Sequence, residues 1–463
     1  MVIKNIFSHL HFIGIGGIGM SGLAKIYSKK GLSISGSDLK QLKDIENLQG
    51  ESIQFFSKQD KKNIKEISKG RSKDEILVVF SSAISKENEE LTYAKECGLQ
   101  IIHRSDLLQE LIKSKESILI GGSHGKTTTS TFLTTILYQS NNKASAIIGG
   151  IIPIFKDNIY YTNNDLLIAE VDESDGSILK YKGKLGIITN IDFEHCDYFK
   201  NLESIKELFK EFQKNCYQTI ANYDCLNSRN CISADYWFSI KDIENSHFTA
   251  IPYKADESGI RAKYFEKQNY IGDLNMQLIG RHNLKNALAA ISAARLVGLS
   301  FEEIKIYLQE LSLPKRRFEL IGKWKNRFVF DDYAHHPNEI NNSIQMAKLF
   351  TNNKTSKLIV IFQPHRYSRM NQFKKDFARS LIEADKIILM PIYSSGEEKI
   401  EGISSSLIKE NILELDNEKE IFEVNNDIEI INLLKTESEE QDTLIFMGAG
   451  DCNQSSRYLM NVD

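Results

Sequence analysis

Two glycine-rich stretches of this chain have spacings that suit phosphate chemistry. The first, Gly121-Gly-Ser-His-Gly-Lys-Thr-Thr-Thr-Ser130, follows the apolar run 117–120. In a phosphate-binding loop the backbone N–H groups surround the phosphates, the lysine neutralises them, and the next hydroxyl can bind Mg²⁺. The usual motif has a glycine where Ile120 stands, so this loop is one residue short. The alternative is an ordinary helix start capped by serine and threonine.

The second stretch, Gly14-Ile-Gly-Gly-Ile-Gly19, fits Gly-x-Gly-x-x-Gly between a predicted strand and a predicted helix. Asp38 follows the next strand, where an acid can bind a ribose hydroxyl. Glycines allow a diphosphate to approach the helix N-terminus, so the pattern predicts a site for a nucleotide diphosphate. It does not say which nucleotide, and a tight turn that packs a helix on a strand remains the alternative.

Acidic residues after two further strands are candidate metal ligands. Glu170-Val-Asp-Glu-Ser-Asp175 offers four carboxylates directly after the strand 166–169, and carboxylates are ligands that Mg²⁺ prefers. Glu170, at the strand end, is the first candidate; an acidic surface loop is the alternative. Asn190-Ile-Asp-Phe-Glu-His195 follows the next strand, but a single histidine is more often a loop residue, and Mg²⁺ prefers oxygen to imidazole.

Later in the chain, amides and guanidiniums occur where a nucleotide or a carboxylate could bind. Asn283 and Asn286 are three residues apart at the start of a predicted helix, so they could contact a purine edge, although Asn283 could equally be the N-cap. Lys315-Arg-Arg-Phe318 puts two guanidiniums near a domain boundary, or forms a solvated basic turn. Arg366 and Arg369 follow a strand end and could bind a carboxylate.

These residues need a scaffold of parallel strands. Short apolar strands alternate with amphipathic helices through most of the chain, including a helix over 106–115 and a long helix over 283–297, which predicts an α/β fold. In the last section four strand-like runs, 328–330, 358–362, 386–390 and 443–447, each end in a polar stretch. Ligands bind beyond the carboxyl ends of such strands, so we expect one cleft there. The charged segment 410–440 is interpreted as solvated helix and loop.

Composition limits the class of protein. With 463 residues, of which 41% are hydrophobic and 26% charged, the chain is long enough for about three domains. A net charge of −4 does not produce the positive electrostatic potential that binding nucleic acid or anionic lipid needs. No run approaches the roughly 20 apolar residues of a membrane span. Six cysteines without Cys-x-x-Cys spacing favour a reducing cytoplasm and suggest no zinc site. We interpret 6–20 as strand and loop, not as a signal peptide.

Taken in order, these motifs resemble the Mur ligase family. The resemblance covers nearly the whole chain and rests on the following stretches: His11 to Gly22, Ser81 to Ile84, Gly122 to Thr128, Glu170 to Asp175, His282 to Asn286, Arg316 to Phe318, Asp331 to Pro337 and Gln363 to Arg369. The family's own phosphate loop has this short spacing. The resemblance implies a Rossmann-like UDP-sugar domain over residues 1–110, a central P-loop ATPase-like parallel-sheet domain over 111–313, and a C-terminal Rossmann-like, amino-acid-binding domain over 314–463.

The resemblance also implies a role for each matching residue. A catalytic set comprises Lys126, Glu170, His195, Arg317, Asp332 and His335. ATP would contact Gly122, Ser123, His124, Gly125, Lys126, Thr127, Thr128, Asn283, Asn286 and Arg317. Mg²⁺, with Mn²⁺ possible, would bind Thr127, Glu170 and, at a second position, His195. The UDP-sugar would contact Gly14, Gly16, Gly17, Gly19, Asp38, Ser82 and Arg104, while Arg366 and Arg369 would face the incoming amino acid and the reacting carboxylate.

The implied reaction is the ATP-dependent joining of L-alanine to the lactyl carboxylate of UDP-N-acetylmuramate through an acyl phosphate, the first amino-acid addition in peptidoglycan precursor synthesis. The general base stays open among His335, His336 and Asp332. Two departures from the family pattern are the looser segment Phe193-Glu-His-Cys-Asp-Tyr198, which weakens the second metal position, and Ser123 in place of threonine, where we expect mainly the backbone to matter.

Three other interpretations remain. An NAD-dependent oxidoreductase would use Gly14 to Gly19 and Asp38 but leaves the phosphate loop unexplained. A nucleotide-dependent binding switch leaves the C-terminal cleft unused, and a ligase that adds a preformed peptide to the same sugar is the nearest alternative. We expect no nucleic-acid or membrane partner, a cytoplasmic location, and a monomer or weak homodimer.

Overall fold

The computed structural model describes residues 3, 6–40, 48, 51–195, 198–351 and 355–462, and its strands form three sheets in chain order. Each sheet carries helices between its parallel strands, as the alternation of strands and helices in the sequence predicts. The α/β fold class and the three-domain organisation are therefore confirmed. Within the described part of the chain, no helix combines the length and apolar character that a membrane crossing requires.

The N-terminal sheet is parallel throughout, with strand order β3-β2-β1-β4-β5. Its strands are β1 His9–Ile13, β2 Ser33–Ser37, β3 Gln54–Phe56, β4 Ile76–Phe80 and β5 Gln100–His103. Its helices are α1 Ile18–Lys29, α2 Lys61–Ile67, α3 Glu89–Glu96 and α4 Arg104–Lys113, with a 3₁₀ turn at Lys73–Glu75. The glycine loop 14–19 connects β1 to α1 and lies at the carboxyl end of the strand, where ligands bind in sheets of this kind.

The central sheet has the order β15-β14-β13-β12-β11-β10-β6-β9-β7-β8. Its strands are β6 Glu116–Gly121, β7 Ser145–Ile152, β8 Asp157–Tyr160, β9 Leu166–Glu170, β10 Gly183–Ile188, β11 Cys216–Asn222, β12 Tyr236–Ser239, β13 Phe248–Asp256, β14 Gly259–Glu266 and β15 Asn269–Met276. Its helices are α5 Lys126–Gln139, α6 Leu202–Lys214, α7 Leu226–Cys231, α8 Arg281–Leu296 and α9 Phe301–Tyr307, with 3₁₀ turns at Ser177–Lys180 and Leu308–Glu310. The strands that flank the phosphate loop, β10, β6 and β9, are mutually parallel, so their carboxyl ends meet at one edge.

The C-terminal sheet has the order β16-β17-β21-β18-β19-β20 and is parallel except for β16. Its strands are β16 Glu319–Trp324, β17 Arg327–Asp332, β18 Leu358–Phe362, β19 Lys386–Leu389, β20 Glu420–Glu423 and β21 Thr443–Met447. Its helices are α10 Pro337–Ala347, α11 Tyr367–Leu381, α12 Ser406–Leu415, α13 Asp427–Glu437 and α14 Cys452–Leu459, with a 3₁₀ turn at Lys348–Phe350. The four predicted strands are present and are parallel neighbours, so their polar ends lie at one edge of the sheet; the single cleft expected there stays a prediction.

One expectation needs correction, and one part of the central sheet was not predicted. The segment 410–440 contains the edge strand β20, and α13 buries Ile430, Ile431 and Leu434, so it is more than solvated helix and loop. The sequence analysis also missed the antiparallel ribbon β13–β14–β15, whose strands are half exposed. The predicted boundary after residue 110 falls inside α4, which ends at Lys113, before β6 opens the central sheet at Glu116.

Helix α5 explains how a hydroxyl-rich sequence forms a buried helix. Ser130, Thr134 and Thr135 each donate a hydroxyl hydrogen bond to the carbonyl four residues earlier, at 2.7–2.9 Å. These bonds satisfy polar groups that α5 buries against α8 and the central sheet. The helix that begins at Lys126 is thereby fixed in position by packing, despite its mediocre helix propensity.

Candidate active site

The phosphate loop, residues 122–125, is held in an unusual backbone conformation. Gly122 and Gly125 have φ of +134° and +81°, and a Cβ on Gly125 would lie 2.4 Å from Asn286 Oδ1. The amide of Asn190 accepts from the His124 N–H at 2.9 Å and donates to the His124 carbonyl at 2.8 Å. The loop is thus preorganised by contacts from the next strand end, with α5 beginning at Lys126.

The Ser123 side chain has a larger role than the sequence suggested. Its hydroxyl donates to the Asp192 carbonyl at 3.1 Å and accepts from the Asp192 N–H at 2.8 Å. The expectation that this position offers mainly its backbone was therefore wrong: the hydroxyl connects the phosphate loop to the segment after β10.

Lys126 is paired with a buried carboxylate. Its Nζ lies 2.8 Å from both oxygens of Glu173 and donates to the Gly122 carbonyl at 2.7 Å. Burial opposes the lysine charge, but Glu173 and Asp172 outweigh it and raise the pKa of Lys126. Because Glu173 is only 1% exposed, the acidic surface loop considered for 170–175 is excluded.

Two groups of oxygen ligands lie beside the loop. Thr127 Oγ1 donates to Glu170 Oε1 at 2.9 Å, and Glu170 Oε2 accepts the Gly149 N–H at 2.8 Å. Burial raises the pKa of Glu170 against these hydrogen bonds and the charge of Lys126. Asp172, Glu173 and His195 form a second group whose ligand atoms lie within 4.8 Å of one another. Hydroxyl and carboxylate oxygens suit Mg²⁺, so the donor set fits that ion.

His195 therefore lies beside Asp172 and Glu173, with its Nε2 3.3 Å from Glu173 Oε1. Burial opposes its charge, but hydrogen bonding to Glu173 and the charges of Glu194 and Glu173 raise the pKa of His195. Its φ is +53°, a conformation in which a non-glycine residue is uncommon. Of the looser segment that the sequence singled out, Cys196 and Asp197 lie outside the described residues.

A cavity of about 430 Å³ opens next to the phosphate loop, between the central and C-terminal domains. Its lining includes Gly125, Thr128, Asn283, Asn286 and Arg317. Helix α8 begins at Arg281 after Gly280, so Asn283 lies inside the helix and donates to the Ile279 carbonyl at 2.7 Å. N-capping by Asn283 is thereby excluded. The cavity also contains Phe238, Leu226 and Met346, which supply the apolar surface that a base would need.

The adjacent arginines Arg316 and Arg317 have different surroundings. Arg316 donates to the Gly448 carbonyl at 2.8 Å and connects β21 to the linker before β16. Arg317 lines the cavity, with its guanidinium 5.2 Å from the Tyr333 ring centroid and 3.6 Å from Glu339. Neither is part of a solvated basic turn. Of the two arginines, Arg317 lines the cavity.

Asp332 also lines the cavity, at the end of β17. Its carboxylate accepts from the Ser343 hydroxyl at 2.6 Å and from the Ala334 N–H at 3.0 Å. Burial raises the pKa of Asp332 to about 6, because it outweighs these bonds and the charge of Arg317. The neighbouring His336 caps α10, and burial and the charge of His124 lower its pKa to about 4.

Glu194 contacts basic side chains from both the central and the C-terminal domain. It accepts from Arg369 at 2.8 Å, and His335 Nε2 and His124 Nδ1 lie 3.5 and 3.7 Å from its oxygens. Burial opposes its ionisation, but His335 and His124 hold the pKa of Glu194 well below its usual range. Arg366 lies 3.9 Å from Glu397, further along the same C-terminal cleft.

His124, the unusual residue of the phosphate loop, contacts three acids. Its Nδ1 is 3.3 Å from Glu339 Oε1, its Nε2 is 3.4 Å from Asp192 Oδ2, and its ring lies 4.6 Å from that of His336. Burial opposes protonation, but hydrogen bonding to Asp192 and Glu339 and the charge of Glu194 raise the pKa of His124 to about 10. The loop thus has a second cation where standard loops have none.

The glycine loop of the N-terminal domain is tied to the end of β2. The N–H groups of Gly14 and Ile15 donate to the Ser37 carbonyl at 2.8 and 3.0 Å, and Gly16 donates to Asp38 Oδ2 at 2.8 Å. Asp38 Oδ1 accepts a hydrogen bond from the backbone N–H of Lys40. Asp38 therefore stabilises the conformation of the loop. Gly17 is the N-cap of α1 and Gly19 lies in its first turn, so both lie at the helix N-terminus.

Ser82 and Arg104 meet a residue of the central domain. The Ser82 hydroxyl donates to Asp175 Oδ2 at 3.0 Å, and Arg104 Nη2 lies 3.6 Å from the same oxygen. Arg104 also reaches the glycine loop, since its Nη1 is 3.5 Å from where a Cβ of Gly19 would be. The structure thus brings the predicted UDP-sugar residues together at the border of the two domains.

Sequence reasoning did not single out Glu173, Asp175, Glu194 or Glu339 individually. Glu173 and Asp175 lie in the acidic stretch that the sequence flagged, and Glu194 precedes His195. Glu173 lies 47 residues from Lys126, Glu194 lies 175 residues from Arg369 and Glu339 lies 215 residues from His124, so spacing alone carried no signal for these contacts.

The fold and the site define a three-domain α/β protein with a short phosphate loop beside buried carboxylates. Models of the Mur ligase family match consecutive parts of the chain: its catalytic domain over residues 9–116, its middle domain over 120–294 and its glutamate ligase domain over 316–450. The chain belongs to the Mur ligase family.

Individual relatives agree. A UDP-N-acetylmuramate--L-alanine ligase of Prochlorococcus marinus is 46% identical over 97% of each chain. A protein of the same name from Synechococcus sp. strain CC9311 is 41% identical, covering 96% of this chain and 93% of that one. The crystal structure of UDP-N-acetylmuramate-alanine ligase from Thermotoga maritima superposes with a TM-score of 0.81 at 26% identity, over 98% of each chain.

Proposed function

We propose that this chain joins L-alanine to the lactyl carboxylate of UDP-N-acetylmuramate and converts ATP to ADP and phosphate. The product is UDP-N-acetylmuramoyl-L-alanine, a precursor of peptidoglycan. Relatives that carry this activity in their names align over nearly the full length of the chain. The observation that carries the proposal is that Glu194, which lies beside His124 of the phosphate loop, also contacts Arg369 and His335 of the C-terminal domain.

The reaction requires that a poor electrophile be activated. The lactyl carboxylate attacks the γ-phosphorus of ATP, ADP leaves, and the acyl phosphate that results is attacked by the amine of alanine, which expels phosphate. The protein contributes positioning and charge neutralisation. Lys126, at the end of the phosphate loop, and Arg317, in the adjacent cavity, would neutralise the β- and γ-phosphates.

A magnesium ion bound with ATP supplies further charge neutralisation. Thr127 and Glu170 would hold it, and Asp172, Glu173 and His195 form a second group of donors. Asn283 and Asn286, on the same helix and in the same cavity, would contact the adenine nucleotide. Arg366 and Arg369 would bind the amino-acid carboxylate in the C-terminal cleft.

The contacts between domains suit a reaction that must exclude water, because an acyl phosphate hydrolyses readily. Besides Arg369 and Glu194, Asn338 of the C-terminal domain donates to Asp192 of the central domain at 3.0 Å. Such contacts cover the phosphate loop on the C-terminal side. The ATP requirement and the cysteine usage favour the cytoplasm as the location of this reaction.

The test is phosphate release by the purified chain. With MgATP we expect release only when both L-alanine and UDP-N-acetylmuramate are present, and the product mass should equal the sugar nucleotide plus one alanyl residue. Release with the sugar and a tripeptide but not with L-alanine would identify a peptide-adding ligase instead. Competition by glycine and L-serine measures the selectivity for L-alanine. Turnover of NAD without ATP would overturn the proposal.

A further inference from the structure

Glu173 and Asp175 belong to one hydrogen-bonded turn but contact two different sites. The Gly176 N–H donates to the Glu173 carbonyl at 2.9 Å, which closes the turn 173–176, and Gly176 has φ of +70°. A Cβ on Gly176 would be strained at this positive φ and would lie 2.5 Å from the Tyr198 hydroxyl, so glycine is favoured there. Ser174 donates to Asp172 with both its N–H and its hydroxyl, which braces the turn further.

One end of this turn is at the phosphate loop. Both oxygens of Glu173 lie 2.8 Å from Lys126 Nζ. On the proposed function, the phosphates of ATP must take over this lysine. Anionic phosphates that take over Lys126 leave Glu173 without its cation, so ATP binding releases that carboxylate from the lysine.

The other end is at the UDP-sugar site. Asp175 Oδ2 accepts from Ser82 and lies 3.6 Å from Arg104, both of the N-terminal domain. Burial opposes ionisation of Asp175, but hydrogen bonds from Ser177 and the charge of Arg104 lower its pKa, so it is an anion at neutral pH. A sugar diphosphate that binds Arg104 competes with this anion.

We infer that Asp175 is a positioning residue through which UDP-sugar binding promotes ATP binding. This rests on the proposed function, in which ATP displaces Glu173 and the UDP-sugar displaces Asp175. The turn 173–176 moves as a unit, because its own hydrogen bonds keep Glu173 and Asp175 in a fixed relation. A ligand that releases Asp175 therefore loosens Glu173 from Lys126. The coupling is reciprocal, since it is a free energy shared by the two sites.

The next element along the chain supports this arrangement. The 3₁₀ turn Ser177–Lys180 is docked on α4 through Lys180, whose Nζ lies 2.6 Å from Asp106 and 2.9 Å from Ser105 Oγ. The turn 173–176 is thus bounded by Glu170 on β9 and by this docked element.

The experiment is calorimetric titration of the full chain with a non-hydrolysable ATP analogue and Mg²⁺, with and without saturating UDP-N-acetylmuramate. In the unmodified chain we expect the sugar nucleotide to tighten analogue binding roughly fivefold or more, the lower range of typical coupling. In Asp175→Asn the factor should fall to about one, and the sugar nucleotide alone should bind more tightly, because the competing charge is gone. Asp175→Ala should behave in the same way.

Asp256→Asn, the same change on the remote hairpin, is the control and should keep the full factor. Full coupling in both Asp175 variants, or no coupling in the unmodified chain, would overturn the inference. Weaker sugar binding in Asp175→Asn would also overturn it, because Asp175 would then be a direct ligand contact. If the unmodified chain neither binds the sugar nucleotide nor turns it over, the proposed function fails; if turnover persists without coupling, only this inference fails.

Discussion

Arg369 and Glu194 connect the C-terminal domain to the central domain: the guanidinium on α11 donates to Glu194 Oε1 at 2.8 Å, and both side chains are nearly buried. Removing one partner of such a pair leaves an uncompensated buried charge. This contact is therefore a suitable place to test how the two domains are held together.

We expect Glu194→Ala to lower the free energy of unfolding by about 3–5 kcal/mol. Urea unfolding measures this loss, and small-angle scattering should show a larger radius of gyration if the C-terminal domain moves away. Glu383→Ala is the control, because Glu383 pairs with Lys348 on the surface and should change stability by less than about 1 kcal/mol. Equal effects of the two variants would show that Glu194 contributes no more than a surface pair.

Lys126→Ala should reduce kcat/KM for ATP at least about tenfold, because each lost charge-assisted hydrogen bond to phosphate is worth roughly 1.5–3 kcal/mol. Steady-state phosphate release with MgATP, L-alanine and UDP-N-acetylmuramate measures the change. Lys184→Ala removes an exposed lysine of β10 that pairs with Glu116, and it should leave turnover unchanged. Full activity of Lys126→Ala would contradict the role proposed for this lysine.

Thr127→Val keeps the shape of the side chain but removes the hydroxyl that contacts Glu170. We expect the free Mg²⁺ concentration that gives half-maximal turnover to rise about tenfold or more, as when groups around a metal site are lost. Thr436→Val, an exposed position on α13, is the matched control. An unchanged Mg²⁺ requirement would place the metal away from Thr127.

His124→Gln should change how stability depends on pH. Because the folded-state pKa is about 10 against an ordinary value of 6.5, protonated His124 stabilises the fold fully below pH 6.5, and this contribution is lost as pH rises through 10. The unmodified chain should therefore lose more unfolding free energy than the variant between pH 6.5 and 10, by up to about 1.4 kcal/mol per pH unit.

Chemical denaturation at a series of pH values measures this difference. His247→Gln is the control: burial lowers the pKa of His247, so its contribution is present above pH 6.5 and is lost only as pH falls below that value. Parallel pH profiles of His124→Gln and the unmodified chain between pH 6.5 and 10 would show that His124 is not held as a cation.

Much of the fold could be predicted because its signals are local. The runs 358–362 and 443–447 are strands with the predicted bounds, since continuous apolar stretches between polar ones mark buried parallel strands. The ribbon β13–β15 and the edge strand β20 were missed because half-exposed strands carry weak patterns. Asn283 was placed at a helix start because an asparagine suits that position locally, whereas the helix begins two residues earlier, after Gly280.

By itself the sequence determined which chemistry is present: the phosphate loop, the acids at strand ends and the arginines of the C-terminal cleft are contiguous motifs that can be read residue by residue. Only the tertiary structure decided which charges neutralise one another. Lys126 pairs with Glu173, Arg104 with Asp175 and Arg369 with Glu194 across 47, 71 and 175 residues. Such pairings depend on which strand ends meet at one edge of a sheet and on how the domains pack, and no local pattern encodes them.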